Sequence, residues 1–307
     1  MTPANVLTKP SLSDIGTTHD VRVVQDDNGL EYLEIENSYA TGKLALQGAH
    51  VMHWQPKNTA QPVLWLSSNA RYTAGRSIRG GVPVCWPWFG AHPTDSSYCP
   101  HGFARVMPWE LKENFSLKNG TTRLVLEMTQ TDVAKKQLSY PYQFTLAITL
   151  GSSLRMEMTT TNLAHHPFII GEAFHTYFNV SDIANTQITG LENVVYSDKV
   201  DGYKRNVQHG ALKFNDEFDR VYLNSGEDCI IRDSGYGRAI RVAKSASNTT
   251  VIWTPGREKA EQMGDMGAAN EWRKMLCVES ANAMENSVTI YPNETHTMVT
   301  EYSLESL

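Results

Sequence analysis

The stretch Tyr142-Gln143-Phe144-Thr145-Leu146-Ala147-Ile148-Thr149-Leu150-Gly151-Ser152-Ser153-Leu154-Arg155-Met156-Glu157-Met158-Thr159-Thr160-Thr161 holds two alternating runs around a break of small residues. In the first run Tyr142, Phe144, Leu146, Ile148 and Leu150 take every second position, with Gln143, Thr145, Ala147 and Thr149 between them. An extended chain sends successive side chains to opposite faces, so a period of two reads as a half-buried strand. The second run sets Leu154, Met156, Met158 and Thr160 against Arg155, Glu157, Thr159 and Thr161. Gly151-Ser152-Ser153 reads as the turn of a hairpin.

Working outward, strand signals recur at residues 30–36, 123–129, 186–197, 238–244, 249–254, 275–280 and 296–304. Helical periodicity is scarce. Its best case is residues 257–266, which follow Pro255-Gly256 and are rich in Glu, Lys, Gln and Met. Strands over the whole length, with no Pro/Ser-rich linker between them, predict one all-β domain of packed sheets over residues 1–307.

The 307 residues suffice to bury a large core, and 41% hydrophobic with 20% charged residues is ordinary for a globular protein. A formal net charge of −6 argues against an extended nucleic-acid surface, which needs concentrated basic charge. It leaves room for a phosphorylated small molecule, which a few local arginines can hold. Residues 1–8 have neither a basic leader nor an apolar core, and no apolar run approaches the ~20 residues of a membrane helix. No membrane association is expected, and a cytoplasmic location is, with Cys85, Cys99, Cys229 and Cys277 reduced. These cysteines contain no C-x-x-C pair, and their spacings to His92 and His101 match no zinc pattern, so buried thiols are expected and no metal.

Three segments place ionisable groups among glycines and aromatics. Arg79-Gly80-Gly81-Val82-Pro83-Val84-Cys85-Trp86-Pro87-Trp88-Phe89-Gly90 pairs glycines that permit close backbone approach with Trp86, Trp88 and Phe89, which can wall the apolar face of a sugar. Taken alone, it reads more readily as a glycine turn followed by core aromatics. His101-Gly102-Phe103-Ala104-Arg105, if extended, points His101, Phe103 and Arg105 to one face, and a guanidinium fork suits a phosphate. Arg105 paired with a surface carboxylate is the plainer alternative.

The third segment, residues 168–178, reads as a strand with Gly171, Ala173, His175 and Tyr177 on one face and Ile170, Phe174 and Phe178 on the other. Two small side chains before a histidine leave space for a ligand, although a lone strand histidine is more often structural. Near the C-terminus, Met275-Leu276-Cys277-Val278-Glu279 is an apolar strand ending in a carboxylate. Such a group must be hydrogen-bonded, protonated or at a cleft edge, with Arg273 a candidate partner. Phe218-Asp219-Arg220-Val221-Tyr222 reads either as part of a site or as a turn with a local salt bridge.

Taken in order, RGGVP, HGFAR, FHTYF, FDRVY and CVES resemble the hexose-6-phosphate mutarotases (glucose-6-phosphate 1-epimerases) of the galactose-mutarotase-like superfamily. The resemblance implies a large twisted antiparallel β-sandwich with few short helices and an open groove for the sugar. It implies His175 as general acid, Glu279 as general base, Asp219 as a ligand of sugar hydroxyls, and Arg79 and Arg105 as phosphate ligands, with His101 lining the same groove. Pro100 replaces a polar amide that can precede HGFAR in the family, and its side chain offers no hydrogen bond.

Exchange of anomers requires a proton to leave the anomeric hydroxyl and another to reach the ring oxygen. A carboxylate and an imidazolium on opposite sides of C1–O5 can do this without metal or cofactor, contributing about 10²–10⁴-fold. Ordinary values of ~4.3 and ~6.5 supply an ionised base and a charged acid near neutrality, with Glu279 helping to keep His175 charged. The expected partner is a small-molecule hexose phosphate, and the expected assembly a monomer or weak homodimer. Three alternatives remain: an aldose 1-epimerase of free sugars, a glycoside hydrolase pairing Glu279 with Asp219 or Glu172, and a non-catalytic sugar-binding protein.

Overall fold

The decisive hairpin forms. In the computed structural model, which describes residues 20–27 and 29–307, strands Tyr142–Leu150 and Leu154–Asn162 pair antiparallel from Leu150↔Leu154 to Tyr142↔Asn162. Tyr142, Phe144, Leu146, Ile148 and Leu150 are all buried, as alternation requires. The second strand departs from simple alternation, because Arg155 and Glu157 on its polar face are buried as well. Arg123 Nη1 lies 2.6 Å from one Glu157 oxygen and Arg155 Nη2 3.3 Å from the other, so an ion-pair network covers that face. The expectation drawn from residues 1–8 lies outside the described residues.

This hairpin is the middle of a nine-stranded sheet. One side continues through Thr122–Met128 to Trp109–Ser116. The other continues through Thr295–Ser306, Arg238–Ser245, Cys229–Asp233 and Thr186–Thr189 to Leu212–Lys213. An eight-stranded sheet runs in the order Lys204–Val207, Val195–Asp198, Phe218–Leu223, Thr249–Thr254, Met275–Asn282, Glu172–Phe174 and Val84–Cys85, with Tyr177–Asn179 also pairing with Met275–Asn282. Every pair of these strands is antiparallel. A four-stranded sheet spans Val21–Gln25 to His50–Pro56.

The two large sheets pack face to face. Phe178 meets Tyr302 edge-on at 5.1 Å, Ser280 Oγ lies 2.9 Å from Thr300 Oγ1, and the Trp86 ring stacks on Phe144 at 4.3 Å. Those aromatic side chains are all but fully buried, each stabilising the fold by roughly 1.5–3 kcal/mol relative to exposure. The architecture is the expected large antiparallel β-sandwich with few short helices.

Helices are few. Gly256–Met263 takes the place expected for residues 257–266 and stops at Gly264, whose φ of 69° ends the helix in the left-handed region. The run 186–197 is not one strand: Thr186–Thr189 and Val195–Asp198 belong to different sheets. Gly190 parts them at φ 98°, where a Cβ would stand 2.2 Å from the Asp228 carbonyl oxygen. No helix among the described residues is long and apolar enough to cross a membrane.

Candidate active site

Met275–Asn282 is buried along its whole length, between Thr249–Thr254 on one side and Glu172–Phe174 with Tyr177–Asn179 on the other. Apolar neighbours on both faces make it a central strand, and Glu279 is planted in its middle at 1% exposure. Arg273 is not its partner, since that guanidinium binds Asp182 at 2.7 and 2.8 Å.

Residues 168–178 do not form one strand. Phe168–Ile170, Glu172–Phe174 and Tyr177–Asn179 are separate, and His175 and Thr176 step out of the ladder between the last two. His175 donates its backbone N–H to the Pro83 carbonyl at 3.0 Å, and Tyr177 donates to Gly81 at 2.9 Å. The space beside Gly171 is not a ligand site, because a Cβ there would lie 2.9 Å from the Phe89 nitrogen. The break instead turns the His175 ring over Glu279, with Nε2 3.4 Å from Oε1. Tyr177 stacks on that imidazole at 5.0 Å, while Trp253 and His101 approach it edge-on at 5.9 and 5.6 Å.

The HGFAR segment is not extended either. His101 and Gly102 take φ of 67° and 74°, and Ala104–Val106 is a 3₁₀ turn. Phe103 goes into the core, while His101 and Arg105 reach the same hollow as His175 by way of the turn. Arg105 Nη2 donates to the Pro100 carbonyl at 2.7 Å, so position 100 serves the site through its backbone. The Gly90 N–H points at His101 Nδ1 at 3.4 Å, which leaves Nε2 to carry the proton of the neutral ring.

Arg79 is fixed by two partners, donating to Tyr177 Oη at 2.8 Å and Asp265 Oδ1 at 3.1 Å. The glycines after it allow the chain to dive beneath His50–Pro56. Gly81 has φ 61°, and a Cβ there would stand 2.2 Å from the Val51 carbonyl. His50 Nε2 donates to the Gly80 carbonyl at 2.7 Å. Asp219 lies in strand Phe218–Leu223 rather than in a turn, with the Lys199 ammonium 3.2 Å away. Arg220, its neighbour, points elsewhere and binds Asp198.

One hollow of about 260 Å³ is lined by all six residues singled out in the sequence: Arg79, His101, Arg105, His175, Asp219 and Glu279. Lys199 and Trp253 line it too and were missed. The aromatic wall is also differently built. Trp86 and Trp88 are core residues, and only Phe89 of that trio reaches the hollow, joined by Tyr177 and Trp253. Glu172 is outside it, fully buried and bonded to His296 Nε2 at 2.7 Å and Asn282 Nδ2 at 2.8 Å.

Burial dominates the electrostatics. It pushes His175 well below the usual imidazole range, with help from the neighbouring His101 ring and the charges of Arg105 and Arg79. His101 falls to about 3 by burial and the Arg105, Lys199 and Arg79 charges. Burial raises the Glu279 carboxyl well above its usual range, opposed by Lys199 and Arg105 and reinforced by Asp219, and burial raises Asp219 against the pull of Lys199. Burial therefore favours neutral forms of both His175 and Glu279, not the imidazolium and carboxylate that ordinary values suggest. His175 Nδ1 and Glu279 Oε2 have no hydrogen-bond partner, although both are buried. In native interiors such atoms are few, and both residues line the hollow.

The donor atoms of His175, Cys277 and Glu279 lie within 4.8 Å of one another. The His92 ring, near Cys85 and Cys99 in sequence, instead accepts backbone N–H groups of Thr94 and Asp95.

Known proteins share this arrangement of chain. The aldose 1-epimerase family profile matches residues 31–303. A protein of Escherichia coli strain K12, provisionally named glucose-6-phosphate 1-epimerase, is 38% identical over 260 residues, covering 83% of this chain and 84% of the relative. A Cenchrus ciliaris protein with the same provisional name is 33% identical over 285 residues, covering 89% and 84%. A crystal structure of a provisionally assigned mutarotase from Salmonella typhimurium superposes with a TM-score of 0.86 at 30% identity, covering 95% of this chain and 96% of that one. With a family match that spans residues 31–303 of its 307, the chain belongs to the aldose 1-epimerase family.

Proposed function

We propose that this protein interconverts the α and β anomers of a hexose 6-phosphate, glucose 6-phosphate foremost, by acid–base opening and closing of the pyranose ring. One observation carries the reading: a proton-exchanging pair shares a monosaccharide-sized hollow with three cationic side chains, Arg79, Arg105 and Lys199, in a chain whose overall charge is −6. The names of the relatives point the same way.

As substrate binds, the Glu279 carboxyl passes its proton to His175, 3.4 Å away, and the pair becomes carboxylate and imidazolium. Glu279 then takes the proton of the anomeric hydroxyl and His175 gives one to the ring oxygen. The C1–O5 bond breaks, the aldehyde rotates about C1–C2, and closure on its other face returns both protons. The two groups need not flank the ring. O1 and O5 are neighbours on one carbon, and side chains 3.4 Å apart reach both from the same edge. Asp219 and the Nε2–H of His101 hold hydroxyls, while Phe89 and Trp253 cover the apolar C–H face.

Phosphate has a second effect. Its negative charge beside Arg79 and Arg105 offsets two of the cations that depress His175, so the substrate itself helps to place the proton on the acid. The same cations favour a phosphorylated over a free sugar. A glycosidase built on Glu172 lacks support, because Glu172 is sealed behind His296 and Asn282. Saturation-transfer NMR on glucose 6-phosphate and on glucose tests the proposal. Enzyme-dependent exchange, faster for the phosphate, is expected; no exchange above background for any hexose phosphate would refute it.

A further inference from the structure

Cys277 is a buried thiol at the reaction centre that ring opening does not use. Alternation along Met275–Asn282 puts it on the same face as Glu279, two residues away, and the sheet register sets it opposite Tyr177 and Trp253. His175 completes a triangle whose donor atoms lie within 4.8 Å of one another. The imidazole and carboxylate are already 3.4 Å apart. Two ligands at about 2.0–2.2 Å from one tetrahedral zinc ion are roughly 3.3–3.5 Å from each other. Only the sulfur must draw in, to a bond of about 2.3 Å.

We propose that His175, Cys277 and Glu279 form a binding site for a borderline or soft divalent transition metal, Zn²⁺ above all, and that the bound ion shuts the sugar out. The inhibition rests on the activity proposed above; the binding does not. Thiolate and imidazole donors select Zn²⁺ or Co²⁺ over the oxygen-seeking Mg²⁺ and Ca²⁺. Three protein ligands leave a fourth position for water, facing the hollow. The ion displaces the protons of the Cys277 thiol and the Glu279 carboxyl, both of which pass to solvent, so binding weakens as pH falls. Arg79, Arg105 and Lys199 oppose a dication, while the thiolate, the Glu279 carboxylate and Asp219 offset them. Such an ion is an inhibitor: it occupies the acid and the base that the reaction needs free.

The test titrates Co²⁺ into the metal-free protein and follows the thiolate-to-metal charge-transfer absorption. A band saturating at one equivalent, displaced by Zn²⁺, lost in Cys277→Ala and in Cys277→Ser and kept in Cys99→Ser, is the expected result. Absence of the band, or its survival in Cys277→Ala, overturns the site. In parallel, Zn²⁺ is expected to inhibit glucose 6-phosphate exchange at least tenfold more weakly in Cys277→Ala than in wild type, with uninhibited rates alike and Mg²⁺ without effect. Equal Zn²⁺ inhibition of both overturns the competition. A protein without exchange activity still yields the Co²⁺ result, so the two proposals fail separately.

Discussion

His175 Nε2 stands 3.4 Å from Glu279 Oε1, brought there by a register that sets Tyr177 opposite Cys277. His175 leaves the strand two residues before that pairing, and Glu279 follows it by two residues on the facing strand. Aromatic rings on three sides hold the imidazole in place, while burial drives both partners toward their neutral forms. Burial thus favours the uncharged forms of the two groups that we propose as acid and base.

Glu279→Gln separates chemistry from folding. The amide keeps the shape of the side chain and removes a carboxyl whose ionisation burial opposes. Exchange of glucose 6-phosphate is expected to fall by about 10²–10⁴-fold, while the melting temperature stays equal to wild type or rises. A clearly lower melting temperature would show that the carboxylate is structural.

Inorganic phosphate is expected to raise the His175 titration midpoint. Burial is the larger cause of its depression, and the charges of Arg105 and Arg79 add to it; a bound anion cancels the latter. Proton NMR of the His175 ring across pH, with and without phosphate, reads this directly. An unmoved or lowered midpoint would remove the substrate-assisted element of the mechanism.

Arg79→Ala and Arg105→Ala are each expected to harm glucose 6-phosphate more than glucose. A lost charge-assisted hydrogen bond of about 1.5–3 kcal/mol corresponds to roughly 10–100-fold in kcat/KM. Asp265→Asn, which leaves Arg79 in place but loosens its Nε, is expected to give a smaller effect of the same sign. Equal losses on both sugars would argue against phosphate recognition.

His50, which fastens the turn carrying Arg79, makes the fold acid-sensitive. Burial lowers its ring to about 4, against about 6.5 when unfolded. The unfolded chain binds the extra proton in that window, so this contribution is intact above pH 6.5 and lost as pH falls toward 4. His50→Gln can keep a donor to the Gly80 carbonyl without titrating. Its stability relative to wild type, measured by denaturant unfolding, is expected to improve by about 2 kcal/mol between pH 7.5 and pH 5. A difference independent of pH would contradict the shift.

The sheets were legible wherever one strand face is polar, as at Tyr142–Leu150, because burial then leaves a period of two in the sequence. Thr249–Thr254 is buried on both faces and has no such contrast, so nothing marked Trp253 as facing the hollow. Lys199 follows Val195–Asp198, the strand next to the sheet's edge, in the run Asp198-Lys199-Val200-Asp201-Gly202 and resembles a solvated turn until Asp219 is placed beside it. The six candidate residues that line the hollow could be named from their motifs, but not their geometry. The break at His175 depends on backbone bonds to Pro83 and Gly81, contacts from far along the chain that local periodicity does not record.

Two-dimensional exchange NMR on an equilibrium mixture of α- and β-glucose 6-phosphate addresses the pairing of His175 with Glu279 most directly. With spontaneous exchange subtracted, wild type should produce strong cross-peaks between the anomers, and His175→Ala and Glu279→Gln, each folded, should produce none above background. Cross-peaks of wild-type intensity in either variant would mean that protons move through other groups, and the account built on this pair would be wrong.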